Sequence, residues 1–470
     1  MISPRLAALL DRRSVFIALL MATGSVTLAM MWATRHVMLS DAWSYIALAE
    51  GILHGEYSMW WPLEGHYPDT FRAPGYPLLV AVVMAITGTW KSMPWVNLAL
   101  YAFALWSALE LIKRIEPRRA ARSLFLLLLL PLVNVPYYIT QVYTEVPVLA
   151  GLGALLLMIT RPGPRSWRSS VLLGLLFGAL FLLKPVLQLL PLAFVIGERI
   201  WLRDRVTWPR QLAMLAVCAL TMLPYGLWNK RNHGVFSTTP LEGAGSYMHF
   251  GAWCGKFPGY TEHVYWHNFA GDELVRFVPD EEIPRHIAAY EAEWDAINAR
   301  LRPLLTPSDS LMLASRDRAP YGVVNTYNTR YTRLREQLLL GKAIEHYRRD
   351  PWYLLKYKAY SAVRLWVIGI QRDEFRQASA SQKIRSLYAS VSTGIVFLLF
   401  MILIPLAMAR RRVTWAEAWP MLAGVAYFGI MHLPFTIQAR YTTPVRMAML
   451  ALLAVSICRL LARGVHQPAR

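Results

Sequence analysis

The chain has 470 residues, of which 56% are hydrophobic and only 17% charged, and its net charge is +20. Soluble proteins carry nearer a quarter charged residues, and several apolar runs here reach the roughly 20 residues needed to cross hydrocarbon. The excess of Lys and Arg falls in short loops between those runs, which is the signature of cytoplasmic loops rather than of a nucleic-acid surface, so the expected partner is membrane lipid and not nucleic acid.

In chain order, apolar runs predict spans near 14–34, 93–112, 121–139, 143–160, 170–183, 186–201, 210–228, 384–408, 414–433 and 443–462. The first lacks a small-residue cleavage site and is read as an uncleaved span. Alternate loops hold the arginines: 113–122, 161–168, 199–210, 410–412 and the C-terminal tail. These loops are therefore placed inside, with both termini, and the long loops outside. The expectation is an all-α polytopic protein of about ten transmembrane helices, with interfacial helices in the first outer loop and a mixed extracytoplasmic domain. It divides into an N-terminal membrane module (1–228, with outer loop 35–92), an extracytoplasmic domain (229–383) and C-terminal membrane helices (384–470). Residues 352–370 are apolar but are interrupted by Lys356, Lys358 and Arg364. A charge at the centre of a span costs about 2.5–3.5 kcal/mol on insertion scales, so this segment is expected to lie on the outer surface. The stretch Pro279 to Leu304 is amphipathic and should be helical.

Three cysteines, two of them in predicted spans, offer no disulfide framework, and no Cys/His spacing marks a structural zinc site. No Walker-type glycine loop is present, so ATP is not an expected driver.

The first outer loop carries the densest chemistry. Asp41 and Tyr45, four residues apart, share a helical face. A carboxylate just beyond a span can act as a general base for an acceptor hydroxyl or amine, or it can cap the helix it begins. Arg72, ahead of Pro74, Tyr76 and Pro77, can grip a phosphate or carboxylate in bidentate fashion, or snorkel to headgroups. Glu145 opens an outer-to-inner span, where an acid suits the helix N-terminus or an acceptor site. Lys184 sits at the outer turn between two short apolar runs, close to the membrane boundary. Arg231, in Asn229-Lys230-Arg231-Asn232-His233-Gly234, ends the seventh span, and Arg440-Tyr441 occupies the last outer turn. Outer basic residues run against the charge rule, and an anionic headgroup supplies a reason for them. Glu262, His263 and His267 have helical metal-ligand spacing, but no third strong ligand accompanies them.

The order of these pieces resembles the GT-C superfamily of membrane glycosyltransferases, and within it family 39, which includes the protein O-mannosyltransferases and the lipid A aminoarabinose transferase. The resemblance rests on Asp41-x-x-x-Tyr45, Arg72-x-Pro74-x-Tyr76-Pro77, Thr144-Glu145, Pro224 to Asn232 with the glycine turn Gly243-Ala244-Gly245, Asp350-Pro351-Trp352-Tyr353 and Arg440 to Pro444. Two departures stand out. Ala42 and Trp43 occupy places where many relatives carry a second acid, and Tyr225 stands where a tryptophan is usual; the first argues against the protein mannosyltransferase subgroup.

The resemblance implies an inverting glycosyltransferase on the outer face of a bacterial inner membrane. It would move a sugar from a polyprenyl-phosphate (undecaprenyl phosphate or another polyprenyl) donor to a glycan, lipid or protein acceptor. Asp41 would be the catalytic base, and Arg72, Lys184, Arg231 and Arg440 would bind the donor phosphate. Tyr45, Tyr76, Glu145 and Tyr441 would line the pocket. No cofactor and no metal is expected, although a divalent ion is compatible with the scheme. A transporter or flippase of a lipid-linked sugar would share many of these features, but it would more often show internal repeats and ionisable residues deep in spans.

Overall fold

The computed structural model describes residues 4–38, 40–61, 67–256, 278–307, 328–370, 372–435 and 438–461. Nineteen α-helices make up the described residues, and no strand occurs among them. Five stretches are long and apolar enough to cross a membrane: Arg13–Thr34, Trp90–Ile115, Trp208–His233, Ala380–Ala409 and Ala439–Leu461. In chain order the N-terminal helices are α1 (Pro4–Asp11), α2 (Arg13–Thr34), α3 (Ser40–Leu53), α4 (Gly75–Thr87), α5 (Met93–Ile115), α6 (Arg119–Leu129), α7 (Asn134–Tyr137), α8 (Glu145–Ile159), α9 (Trp167–Leu183), α10 (Leu190–Trp201) and α11 (Trp208–His233). Then come α12 (Ala244–Trp253), α13 (Ile283–Leu301), α14 (Thr329–Arg349), α15 (Pro351–Arg364), α16 (Arg372–Gln377), α17 (Ala380–Ala409), α18 (Trp415–His432) and α19 (Thr443–Leu461).

Helix α19 is the axis of the bundle. Nearly every residue from Thr443 to Cys458 is buried, and the helix packs on α5, α6, α8, α17 and α18. One of its two arginines, Arg446, is fully buried, and Nη2 donates to the Trp366 carbonyl at 2.8 Å, tying the helix to the segment just past α15. A helix without a polar face belongs inside a bundle.

Two predicted spans are broken. The run 121–139 becomes α6, a turn and the short α7, because Pro131 has no amide proton with which to continue the helical ladder. The run 186–201 opens as a 3₁₀ turn, Pro185–Leu189, before α10. The segment expected on the surface forms α15, whose 14 residues span about 21 Å, short of the roughly 30 Å of a hydrocarbon core. One of its interrupting charges, Lys358, donates to the Phe435 carbonyl at 3.1 Å. The insertion 229–383, expected to be a mixed extracytoplasmic domain, is helical in its described part: α12 and α13 pack on α14, and α13 fills the predicted amphipathic stretch with a 3₁₀ turn at each end.

The arginine-rich loops meet at one end of the bundle. There Arg165 pairs with the buried Glu198, which also accepts from Gln211 at 2.9 Å. Arg459 joins Glu116 at 3.1 Å to Glu417 at 2.9 Å. Asp41, Arg72, Glu145, Lys184 and Arg440 gather at the opposite end.

Candidate functional site

Helix α3 starts six residues after α2 ends, and Asp41 lies in its first turn. The capping role open to Asp41 is not the one its carboxylate takes. Oδ1 accepts from Arg72 Nη2 at 3.1 Å, and Oδ2 accepts from Arg440 Nη2 at 2.8 Å. All three side chains are less than a fifth exposed. Burial pushes the Asp41 carboxyl up, but Arg440 and Arg72 together outweigh it and hold the pKa at about 2.

Arg72 is fixed from several sides. Its Nε donates to Ser44 Oγ at 3.2 Å, and its guanidinium lies over the Tyr45 ring at 4.7 Å and the Phe71 ring at 4.3 Å. Tyr45 itself sits edge-on to Tyr76, with centroids 4.8 Å apart. Tyr76 is wholly buried, so it braces Tyr45 from below.

The backbone before Arg72 is locked as firmly. Asp69 Oδ2 accepts from the amides of Phe71 at 3.0 Å and Arg72 at 2.7 Å, an Asx turn of the kind aspartate favours. Burial raises the Asp69 pKa to about 6 even though these two amides pull it down. The Arg72 carbonyl accepts from Tyr57 at 3.0 Å and Tyr225 at 3.1 Å. Tyr225 is the departure from the resemblance noted in the sequence, and its hydroxyl is one of the two donors to this carbonyl. His233 donates to the Asp69 carbonyl at 3.1 Å.

Thr70 ties this loop to Glu242, just before α12, and through it to α14. Its hydroxyl donates to Glu242 Oε2 at 2.6 Å, and Glu242 also pairs with Arg335. Glu336 accepts from the amides of Gly243, Gly245 and Ser246 at 3.1, 2.8 and 3.1 Å. The glycine turn singled out in the sequence is therefore filled by a carboxylate of α14. A Cβ at Gly245 would lie 2.0 Å from the Glu336 carbonyl oxygen, so only glycine fits there.

On the other side of Asp41, the Arg440 guanidinium stands over the Tyr143 ring at 5.1 Å and the Tyr441 ring at 5.6 Å. Lys184 Nζ reaches Glu145 Oε1 at 3.4 Å and lies 5.5 Å from the Tyr441 ring centre. Glu145 is in the first turn of α8, where it favours the helix N-terminus and still faces a cation. Tyr441 stacks on His432 with centroids 4.8 Å apart.

The structure thus gathers Asp41, Arg72, Arg440, Tyr45, Glu145, Lys184 and Tyr441, with Tyr76 beneath. Arg231 is exposed on the last turn of α11, and no contact described here joins it to the cluster. Glu262, His263 and His267 lie outside the described residues. Three cations, Arg72, Arg440 and Lys184, face two carboxylates, Asp41 and Glu145. A largely buried set with surplus positive charge and interleaved aromatic rings is suited to receiving an anion.

Sequence reasoning missed Ser44, Tyr57, Asp69, Tyr143 and Tyr225 as supports. Asp69 had a legible signal, an aspartate two and three residues before the amides it binds. Ser44 and Tyr57 lie in the same loop region as Asp41 and Arg72, Tyr143 lies two residues before Glu145, and Tyr225 was noted as a departure, but nothing in their spacing marked them as supports.

No protein-family model matches the chain, and no curated protein sequence does. Among solved structures it is similar to the crystal structure of ArnT from Cupriavidus metallidurans bound to undecaprenyl phosphate. The identity is 15%, the match covers 94% of this chain and 77% of that one, and the TM-score is 0.36.

Proposed function

We propose that the protein is an inverting glycosyltransferase that moves a sugar from a polyprenyl-phosphate donor to a glycan, lipid or protein acceptor, at the outer face of the membrane. The observation that carries this reading is the double ion pair on Asp41, with Lys184 and Glu145 beside it. It joins a carboxylate able to take a proton to a surplus of cations able to hold a phosphate.

The chemistry follows from the charges. In the donor the phosphate is a diester carrying one negative charge. When the bond from the anomeric carbon to the phosphate oxygen breaks, polyprenyl phosphate leaves as a monoester with a second charge. Arg72, Arg440 and Lys184, already in place, stabilise the leaving group more than the donor, and that difference is catalysis. The acceptor hydroxyl or amine attacks from the opposite face and inverts the centre, and Asp41 takes its proton.

With both guanidiniums on it, Asp41 is a weak base. A donor phosphate that draws Arg72 or Arg440 towards itself loosens the ion pairs and raises the carboxylate's proton affinity. The base is then armed by the donor it serves. Tyr45, Glu145 and Tyr441 border the place where sugar and acceptor meet, and Tyr76 holds Tyr45 in position.

Binding of undecaprenyl phosphate to the purified protein in detergent, followed by turnover with radiolabelled polyprenyl-phosphate sugars, tests the reading. Asp41→Asn should keep phosphate binding and lose transfer by at least about a hundredfold. Arg440→Ala should weaken phosphate binding. Full transfer by Asp41→Asn at normal protein levels removes the base assignment. Lipid movement between leaflets of a vesicle, without turnover in detergent, turns the reading to a flippase.

A further inference from the structure

A second cluster of titratable groups lies among the outer helices. His249 on α12, Glu293 on α13 and His346 on α14 each offer one ligand atom, and these atoms all fall within 4.8 Å of one another. His249 Nε2 is 2.7 Å from Glu293 Oε2, and His346 Nε2 is 3.0 Å from both carboxylate oxygens. His249 is fully buried and His346 nearly so, whereas the Glu293 side chain keeps 22% of its surface exposed. Trp253 Nε1 donates to Glu293 Oε2 at 3.2 Å. The rings of Tyr290, Trp253 and Trp294 wall the two imidazoles, with centroids 4.8–6.1 Å from them.

Three donors from two helices therefore crowd one carboxylate oxygen, Oε2. Two imidazole Nε2 atoms and a carboxylate, carried on three separate helices and aimed at one point, are a ligand set for a borderline divalent metal. Hard cations such as calcium prefer a shell of oxygens, which this site lacks. The Trp253 indole, bonded to the carboxylate, is an outer partner of the type that orients a metal ligand.

We propose that His249, Glu293 and His346 bind one divalent transition-metal ion of the zinc class through the two Nε2 atoms and a carboxylate oxygen. Water on the exposed side of Glu293 completes four-coordination. On binding, each imidazole coordinates as the neutral ring, its Nε2 lone pair going to the metal and its remaining proton sitting on Nδ1; a ring that starts protonated releases its extra proton to solvent, and no redox change is involved. The ion would clamp α12 to α13 and α14. Helix α12 also carries Tyr247, which lies close enough to Arg72 and Asp41 to interact with them electrostatically. The metal would thus fix the helix that roofs the phosphate cluster, without touching substrate.

The test uses the tag-free full-length protein in detergent, stripped with chelator and titrated with Zn²⁺ or Co²⁺. Expected are one bound equivalent per chain, a Co²⁺ visible spectrum of tetrahedral type and a higher Tm with metal than with chelator. His346→Gln and Glu293→Gln should lose the bound equivalent, and Trp253→Phe should weaken affinity at least about tenfold. The double variant His263→Gln/His267→Gln should bind as the parent does, which separates this site from the helical pair noted in the sequence. Zn²⁺ and Co²⁺ that leave the parent's Tm and spectrum unchanged overturn the proposal, as does equal binding by parent and His346→Gln. In that case the trio is a His–Glu–His hydrogen-bond network only. If the glutamine variants fail to fold, the Co²⁺ spectrum of the parent and the Trp253→Phe affinity still decide.

Discussion

Asp69 shows how a single side chain can set the position of a neighbour through that neighbour's backbone. Its Oδ2 holds the amides of Phe71 and Arg72, while its Oδ1 is buried without a hydrogen-bond partner among the described residues. The ordinary carboxyl pKa of 3.8 is raised to about 6 in the fold by burial. A folded pKa above the unfolded one means that the native state holds the proton more tightly. This contribution is therefore fully present below about pH 4 and is lost as the pH rises through about 6. A shift of roughly two units corresponds to on the order of 3 kcal/mol. Asp69→Asn, which keeps an amide-accepting oxygen, should flatten the stability profile between about pH 4 and 6. Chemical denaturation in detergent across that window checks it; a profile as steep as the parent's means that another group titrates. At this scale the sequence spoke unevenly. Asp41 and Arg72 were legible because both sit in the one loop that follows the first span, where a charge needs a reason. The His249, Glu293 and His346 cluster was not, because its members are 44 and 53 positions apart and only the packing of three helices brings them together.

Between elements, the contact of α4 with the end of α9 helps set the distance between Arg72 and Lys184. Gly75 opens α4, three residues after Arg72, and a Cβ there would lie 2.6 Å from the Leu182 carbonyl carbon and 2.7 Å from its oxygen. These are backbone atoms two residues before Lys184, so they cannot swing aside. Gly75→Ala should push α4 away from α9, at a cost of about 1–3 kcal/mol, and should separate Arg72 from Lys184. The expected readout is weaker undecaprenyl phosphate binding with Asp41 intact, together with a lower Tm. Unchanged binding and Tm would mean that the two helices can part without disturbing the site. The helices themselves were readable because apolar runs of spanning length have few other uses. Their interruptions at Pro131 and Pro185 were less so, because a proline in an apolar run can begin, kink or end a helix, and neighbouring helices decide which.

Across the whole molecule, charge is sorted to the two ends of the bundle. At the arginine-rich end, Glu198 is 1% exposed and holds both Arg165 and Gln211. Glu198→Ala leaves Arg165 buried and unpaired, and breaking a buried pair by removing one partner costs about 3–5 kcal/mol. The Tm in detergent should fall markedly, while undecaprenyl phosphate binding at the other end, measured below the new Tm, stays as in the parent. Loss of binding in protein that is still folded would mean that the two ends are coupled.

The two arginines on Asp41 come from opposite extremes of the chain. Arg72 is 31 positions away and Arg440 is 399. A ribosome delivers the first almost at once and the second only when nearly the whole polypeptide has been made. Through most of synthesis and membrane insertion, Asp41 therefore has half its counter-charge. On the proposed function, the anion site is complete only once Arg440 and the central helix that follows it are in place, so the order of translation itself would keep an incomplete chain from holding lipid carrier.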